Sequence, residues 1–203
     1  MKYLVLFAVA ALFGCVQCDK ECFRGVFKEC IREPVPMDRM TLCDEVKYQV
    51  DCVARVSNEC NMPFKADADK LKTGVMRVCT LDAIKQWFLK EKPCFRKSVN
   101  DSQCTGPLDE ATSNLKTSED SIRANKKVCK LFEPYSNCVE EKVENNCGRA
   151  AQFLFDWVYK PFRSMSNSLC EELILPADEK DSRPDNFGLL NIYYTVVGLF
   201  FAS

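Results

Sequence analysis

Two stretches with similar cysteine spacing decide the fold, CDEVKYQVDCVARVSNEC at Cys43–Cys60 and CKLFEPYSNCVEEKVENNC at Cys129–Cys147. Each places eight residues between its first two cysteines and seven or eight before the third. A valine follows the middle cysteine in both, in Cys52-Val53 and Cys138-Val139. Two further cysteines precede each stretch and one follows it, so the chain carries two sets of six.

The two sets have nearly parallel spacing along the chain. The gaps between cysteines are 7, 12, 8, 7 and 18 residues in the first set and 9, 24, 8, 8 and 22 in the second. An even number lets each set close three disulfides of its own. We therefore predict two pseudo-repeats, 19–93 and 94–176. The sets are Cys22, Cys30, Cys43, Cys52, Cys60 and Cys79, then Cys94, Cys104, Cys129, Cys138, Cys147 and Cys170.

The N-terminus predicts secretion. Met1-Lys2 is followed by the uncharged run Tyr3 to Phe13, which is typical of a signal peptide covering residues 1–18. Cleavage after Cys18 leaves twelve cysteines, whereas cleavage after Gln17 would leave an odd count and a free thiol. Twelve cysteines in an oxidising compartment indicate six disulfides. We therefore expect a protein that is secreted or attached to the outer cell surface.

The composition argues against several functional classes. The net charge is −1 with both signs mixed, so there is no basic field for nucleic acid. The chain has no histidine, which removes the commonest general base and the commonest metal ligand. We expect no catalytic site, metal site or cofactor. The adjacent carboxylates are expected to be solvated surface, because neighbours on a helix do not face one another. These pairs are Asp44-Glu45, Glu140-Glu141 and Glu171-Glu172.

Apolar residues recur at offsets of three and four, which predicts an all-α, disulfide-rich fold. We expect prolines to end or interrupt helices, Pro93 after the fourth helix, Pro134 and Pro161 in the second repeat. The polar segment 105–127 is expected to be a surface insertion, partly helical around Leu115 and Ile122. The predicted helices are Cys22 to Ile31, Asp38 or Thr41 to Cys60, Asp67 to Val78, Leu81 to Lys90, Cys129 to Cys147 and Gly148 to Tyr159.

Helical hairpins favour nested disulfides, because antiparallel helices bring early residues of one beside late residues of the next. A difficulty remains, since Cys43 and Cys52 point to opposite sides of an unbroken helix. Either that helix is broken or the nesting is wrong. The nested pairs are Cys30–Cys43, Cys22–Cys52 and Cys60–Cys79, then Cys104–Cys129, Cys94–Cys138 and Cys147–Cys170.

The C-terminal segment 177–203 combines a polar spacer with the uncharged run Phe187 to Ser203. This order is typical of a glycolipid (GPI) anchor signal, with Ala177 or Asp178 as the attachment residue. Two alternatives stay open. The run can pack as a buried helix of the fold, or it can span a membrane at the lower limit of length.

Two further features suggest sites. Asn100-Asp101-Ser102 is an N-glycosylation sequon, so Asn100 is a candidate for a sugar. An aromatic group in the second repeat can form core or line a cavity for an apolar ligand. Phe155 and Phe162 are expected to lie off its main face. The group consists of Phe153, Phe155, Trp157, Tyr159 and Phe162.

The cysteine count, the Cys-x8-Cys-Val segments at Cys43–Val53 and Cys129–Val139, and the motif CVEEKVENNC together resemble a known family. It is the twelve-cysteine secreted domain of unknown function of nematode and arthropod proteins. The resemblance covers about residues 22 to 170. A more distant similarity is to the cysteine-rich helical domains of growth-factor co-receptors, which are duplicated and often glycolipid-anchored. Neither resemblance implies site residues.

These observations lead to a non-enzymatic extracellular or cell-surface module that binds a protein partner and is attached to the membrane by a lipid anchor where the tail is processed. The alternative is a soluble secreted carrier of a lipid or other apolar ligand, with the tail packed over an aromatic cavity. A disulfide-rich hydrolase is a third class, and the missing histidine disfavours it.

Overall fold

The computed structural model describes residues 19–32, 42–113 and 116–174. These ranges are helical and contain no strand, which confirms the all-α, disulfide-rich fold. The signal peptide 1–18 and the segment 177–203 lie outside the described residues. The helices are α1 (Asp19–Arg32), α2 (Leu42–Glu59), α3 (Lys65–Thr80), α4 (Asp82–Val99), α5 (Ser102–Thr112) and α6 (Ser118–Leu169), followed by a π-helical turn at Cys170–Ile174.

Helices α2 and α3 form an antiparallel hairpin. The chain reverses at Asn61, whose φ of 51° is left-handed, and the backbone N–H of Met62 closes the turn on the Ser57 carbonyl at 2.8 Å. Asparagine tolerates this conformation better than most residues. Across the hairpin, the Asn58 amide donates to both carboxylate oxygens of Asp69 at 3.1 Å. We call α1 to α3 the first lobe.

Helix α6 is a second hairpin, with a reversal at Gly148. Gly148 has φ 81° and ψ 165°, a conformation that glycine adopts at little cost. The arms 118–147 and 149–169 then lie antiparallel, with Phe132 edge-on to Phe162 at 5.7 Å. Thr117 begins the first arm with a capping box to Asp120. We call α4 to α6 with the π turn the second lobe.

Six disulfides join the twelve predicted cysteines, but none of the nested pairs is formed. In each set the first cysteine pairs with the fifth, the second with the fourth and the third with the sixth. The nesting is wrong because α2 is unbroken, so Cys43 and Cys52 bond to helices on its two sides. The pairs are Cys22–Cys60, Cys30–Cys52, Cys43–Cys79, Cys94–Cys147, Cys104–Cys138 and Cys129–Cys170.

The fifth cysteines share a further feature. Asn61 directly follows Cys60 and Gly148 directly follows Cys147, and these two are the positive-φ residues among those described. Each lobe therefore reverses its hairpin at the same place relative to its cysteines. The duplication of the chain stays a prediction, and the shared pairing order and shared reversal support it.

The prolines do not end the helices as expected. Pro93 lies inside α4, and Pro134 and Pro161 lie inside the arms of α6. Pro93 and Pro134 are exposed, so water can hydrogen-bond the backbone carbonyl that each proline leaves without a donor. The interruption near Pro134 was therefore wrong, whereas the break in α6 at Gly148 lies at the predicted boundary between the helices Cys129 to Cys147 and Gly148 to Tyr159.

The segment 105–127 is a more integral part of the fold than a surface insertion. It contains most of α5 and the beginning of α6, with an exposed Ile122. Leu108 of α5 and Ala124 of the first arm are buried in the second lobe. The partial helix expected around Leu115 lies outside the described residues. Burial of these two side chains means that the segment contributes to packing.

The two lobes pack through α3 and the second arm of α6, which run antiparallel. The Ser164 hydroxyl donates to Asp67 at 2.8 Å, and Gly74 faces the backbone of Trp157. A Cβ built on Gly74 would lie 2.3 Å from the Trp157 carbonyl oxygen. Lys20 of α1 also pairs with Glu172 of the π turn at 3.2 Å. Gly74 thus sets how closely the lobes approach.

We expect Gly74→Ala to lower the free energy of unfolding by about 1–3 kcal/mol, because the new Cβ meets backbone that cannot rotate away. Denaturant unfolding of the purified protein measures the change. Gly106→Ala is the matched control, since its Cβ would meet nothing within 4 Å and alanine favours helix by about 0.5–1 kcal/mol. Stabilisation by Gly74→Ala would contradict the close approach.

The shared pairing order gives a test of the duplication. Cys22→Ser/Cys60→Ser and Cys94→Ser/Cys147→Ser remove the corresponding disulfide from each lobe, with sequence separations of 38 and 53. We expect each to cost about 2–5 kcal/mol, and loop entropy makes the two costs differ by only about 0.3 kcal/mol. Thermal unfolding and secreted yield report the effect. A severe loss from one pair alone would argue against equivalent lobes.

Candidate functional site

An open cleft of about 520 Å³ lies where α3 meets the second arm of α6. It is a surface feature of the contact between the lobes. Its lining is mostly polar and charged, with one indole ring among the side chains. The lining residues are Asp69, Lys70, Thr73, Gly74, Arg77, Asp156, Trp157, Lys160 and Pro161.

The lining residues correspond between the lobes when they are counted from the fifth cysteines, Cys60 and Cys147. Four positions occur on both walls, and Arg77 adds a fifth on the α3 wall. The cleft is therefore built from equivalent parts of two hairpins but carries different side chains on each. The equivalent positions are Asp69 and Asp156 at nine residues, Lys70 and Trp157 at ten, Thr73 and Lys160 at thirteen, and Gly74 and Pro161 at fourteen.

Most charges of the cleft have partners. Lys160 pairs with Asp156 at 2.7 Å, and this carboxylate raises the pKa of Lys160 by hydrogen bonding to its ammonium group. The other oxygen of Asp156, Oδ1, is buried without a hydrogen-bond partner in the described part of the chain. Lys70 pairs with Asp67 at 3.1 Å. These pairs fix the charged groups on the walls.

Arg77, Phe153 and Trp157 form an aromatic–arginine surface at one side of the cleft. The Arg77 guanidinium carbon lies 5.8 Å from the centroid of the Trp157 ring, within the range of a cation–π contact. Phe153 packs edge-on against Trp157 at 5.3 Å and is 58% exposed. An exposed phenylalanine beside an arginine and a tryptophan has the composition of an interface anchor.

The rest of the predicted aromatic group is core. Phe155 and Phe162 are fully buried, contrary to the expectation that they lie off the main face, and Phe153 is the member that points outward. Phe155 stacks on Tyr159 at 4.6 Å and contacts Phe95 at 5.3 Å. In the described part of the chain these rings fill the interior by contacting one another.

Asn100 occupies the short turn between α4 and α5 and is exposed. The next residue, Asp101, caps α5 by accepting the backbone N–H of Gln103 at 3.0 Å. That bond, followed by the contact with Lys142, lowers the pKa of Asp101. The sequon therefore sits on an ordered, accessible turn. Glycosylation of Asn100 stays a prediction.

The carboxylate pairs were only partly understood from sequence. Glu141 and Glu171 are exposed, as expected, but Glu140 is 20% exposed and accepts a 2.8 Å bond from Arg163. Arg163 also pairs with Glu133 and bonds Asn137 at 2.7 Å. This group ties the two arms of α6 together, so its role is structural. Spacing alone does not reveal it, because Arg163 comes from the opposite arm.

Sequence reasoning also missed Lys70, Arg77 and Lys160, which come together only when the lobes pack. Gly74 carried a signal, as a glycine inside an otherwise helical pattern. The described ranges bring together no group of three or more metal-binding side chains, and none of their helices has the length and apolar character needed to cross a membrane.

No protein-family model, curated protein or solved structure matches this chain. The resemblance to twelve-cysteine secreted domains stays a prediction, as do Ala177 and Asp178, which lie outside the described residues.

We expect a pH-dependent contribution from Glu133. Hydrogen bonds from Arg163 and then Asn167 hold the pKa of Glu133 below its usual 4.5. Ionised Glu133 therefore stabilises the fold above about pH 4.5, and this stabilisation is lost as pH falls through the lowered pKa. Since its side chain is half exposed, Glu133→Gln should cost under about 1 kcal/mol at pH 7 and almost nothing near pH 2.

Urea unfolding across this pH range measures the difference between the wild type and Glu133→Gln. Glu110→Gln, at an exposed position of α5, is the control and should leave the pH dependence nearly unchanged. A cost of Glu133→Gln that is the same at both ends of the pH range would mean that the side chain acts through packing alone.

Proposed function

We propose that this protein is a non-enzymatic extracellular interaction module that binds a protein partner through its aromatic–arginine surface. The single observation that carries the proposal is the exposure of Phe153, at 58%, beside Trp157 and Arg77. Aromatic and arginine side chains are enriched at protein interfaces, and tryptophan and arginine are enriched among the few residues that dominate the binding energy. A half-exposed phenylalanine costs solubility, and burial against a partner would offset that cost.

Four further features support the extracellular part of the proposal. Six disulfides in a chain of this size fit an oxidising compartment. Residues 1–18 have the sequence pattern of a signal peptide, and 177–203 that of a glycolipid-anchor signal. Asn100 offers an accessible glycosylation site. The absence of histidine from the whole sequence favours binding over catalysis.

The packing of the aromatic side chains disfavours a carrier function. A carrier needs an apolar cavity, whereas Phe155, Tyr159 and Phe162 are buried against other rings. The cleft between the lobes is open, and five of its nine lining residues are charged, which suits part of a macromolecule better than a lipid chain. The interaction module is therefore the function that we carry forward.

The first step of the test is expression of the full chain in animal cells. Treatment with phosphatidylinositol-specific phospholipase C separates anchored from freely secreted protein, and enzymatic deglycosylation reports on Asn100. The released protein is then multimerised and screened for binding against a panel of extracellular domains. Retention of the protein inside the cell would contradict the proposed compartment.

Phe153→Ser then tests the surface on any partner found. We expect at least about tenfold weaker binding, because truncation of a central hot-spot residue costs about 2 kcal/mol or more and about 1.4 kcal/mol corresponds to tenfold. Leu89→Ser is the matched control, since Leu89 is 47% exposed on α4. Binding that survives Phe153→Ser but is lost with Leu89→Ser would place the interface elsewhere. A bound lipid in native mass spectrometry, without a protein partner, would favour the carrier.

A further inference from the structure

The cleft beside the aromatic–arginine surface carries an inference about the chemistry of the partner, and this inference rests on the proposed function. The cleft is open, so an occupant would stay partly exposed, as a peptide segment of a larger protein does. Its walls are fixed by the close approach of Gly74 to Trp157 and by the Ser164–Asp67 hydrogen bond. A preformed site of this kind binds without the cost of ordering its own walls.

Arg77 is the cation of the cleft that is available to a ligand. Lys70 and Lys160 have carboxylate partners, Asp67 and Asp156. Among the described residues, no carboxylate forms an ion pair with Arg77, which is exposed and lies over the Trp157 ring. Stacking on an aromatic face holds a guanidinium in place while its N–H edge stays open for a carboxylate.

Apolar contacts are available close to this guanidinium. Phe153 lies against Trp157 on the opposite wall, and Leu81, one turn after Arg77, is 52% exposed. The antiparallel register that places Gly74 opposite Trp157 puts Leu81 at the same end of the cleft as Phe153. A ligand that bonds Arg77 can therefore place an apolar side chain against these residues.

The charge balance favours a single carboxylate over a polyanion. Asp69 lines the cleft and would repel a chain of sulfates, Asp156 already neutralises Lys160, and the whole chain carries a net charge of −1. Binding of a sulfated glycan needs several cations that are free at once, and here two of the three are already paired. A ligand with one carboxylate needs only one free cation, and Arg77 supplies it.

We infer that the cleft binds a peptide segment of an extracellular partner in which an Asp or Glu stands next to an aromatic or aliphatic residue. The acidic side chain bonds the Arg77 guanidinium, and the apolar side chain packs on Phe153 and Trp157. Asp69 on the α3 wall disfavours a second acidic residue nearby. The recognised segment is thus acidic at one position and apolar at the next.

The test is selection of octapeptides from a random display library on the secreted full chain. We expect enrichment of Asp or Glu next to an aromatic or aliphatic residue. For a selected peptide, Arg77→Gln should weaken binding at least about tenfold, and Arg77→Lys should weaken it less. Arg96→Gln, at an exposed arginine of α4 outside the cleft, is the matched control and should leave binding unchanged. Thermal unfolding checks that each variant is folded.

Replacement of the peptide's acidic residue by its amide completes the cycle. It should weaken binding to the wild type but cause no further loss in Arg77→Gln, because both changes remove the same contact. Selected peptides without an acidic preference, binding that survives Arg77→Gln, or failure to select any Arg77-dependent peptide would each overturn the inference. Stronger, salt-sensitive and Arg77-dependent binding of a heparin fragment would instead reassign the cleft to polyanions.

These outcomes are separable from those of the proposed function. A protein partner that depends on Phe153 but not on Arg77 would leave the interaction module standing and remove the peptide assignment. A protein partner whose binding depends on neither Phe153 nor Arg77 would contradict both the proposed interaction surface and the peptide assignment.

Discussion

The central helix of each lobe is covalently held from two sides, and the rest of the structure depends on this constraint. In the first lobe, Cys52 bonds α2 to the helix before it and Cys43 bonds it to the helix after it. In the second lobe, Cys138 and Cys129 do the same for the first arm of α6. A separation of nine residues places two cysteines on opposite sides of a helix. The central helix can therefore form one disulfide to the helix before it and one to the chain after it.

This covalent frame explains how the site is held. The hairpins can reverse abruptly at Asn61 and Gly148 because their helices are bonded on either side of the turn. The helices that follow, α3 and the second arm, then meet where Gly74, which has no side chain, contacts the backbone of Trp157. The cleft and its charged walls lie along this contact. A rigid frame therefore makes the walls of the cleft rigid as well.

Much of the fold could be predicted from the sequence, because cysteine spacing and apolar periodicity are local signals. They indicated helices, six disulfides and two sets of six. The pairing of Cys43 and Cys52 could not be derived, since spacing shows that they point apart but not which helix lies on each side. Pro93 and Pro134 were misread because a proline disrupts a helix less where water can bond the carbonyl that it leaves without a donor, and this exposure depends on tertiary packing.

The candidate site was largely invisible to sequence reasoning. Arg77 and Trp157 are 80 residues apart and meet only through the packing of the lobes. Phe153 belongs to a run of aromatic residues, most of which are core, and its outward direction follows from the way the second arm lies on α3. The ion pairs of Lys70 and Lys160 could not be predicted from the sequence either, and they leave Arg77 as the cation of the cleft that is available to a ligand.

The correspondence between the two walls of the cleft has one more consequence. Identical walls related by a twofold axis would offer a peptide the same contacts in either direction. Here Lys70 occupies the position equivalent to that of Trp157, and Gly74 the position equivalent to that of Pro161, so the two ends of the cleft differ chemically. The different side chains on the two walls thereby make the two directions along the cleft distinct, so the proposed peptide would bind in one N-to-C orientation.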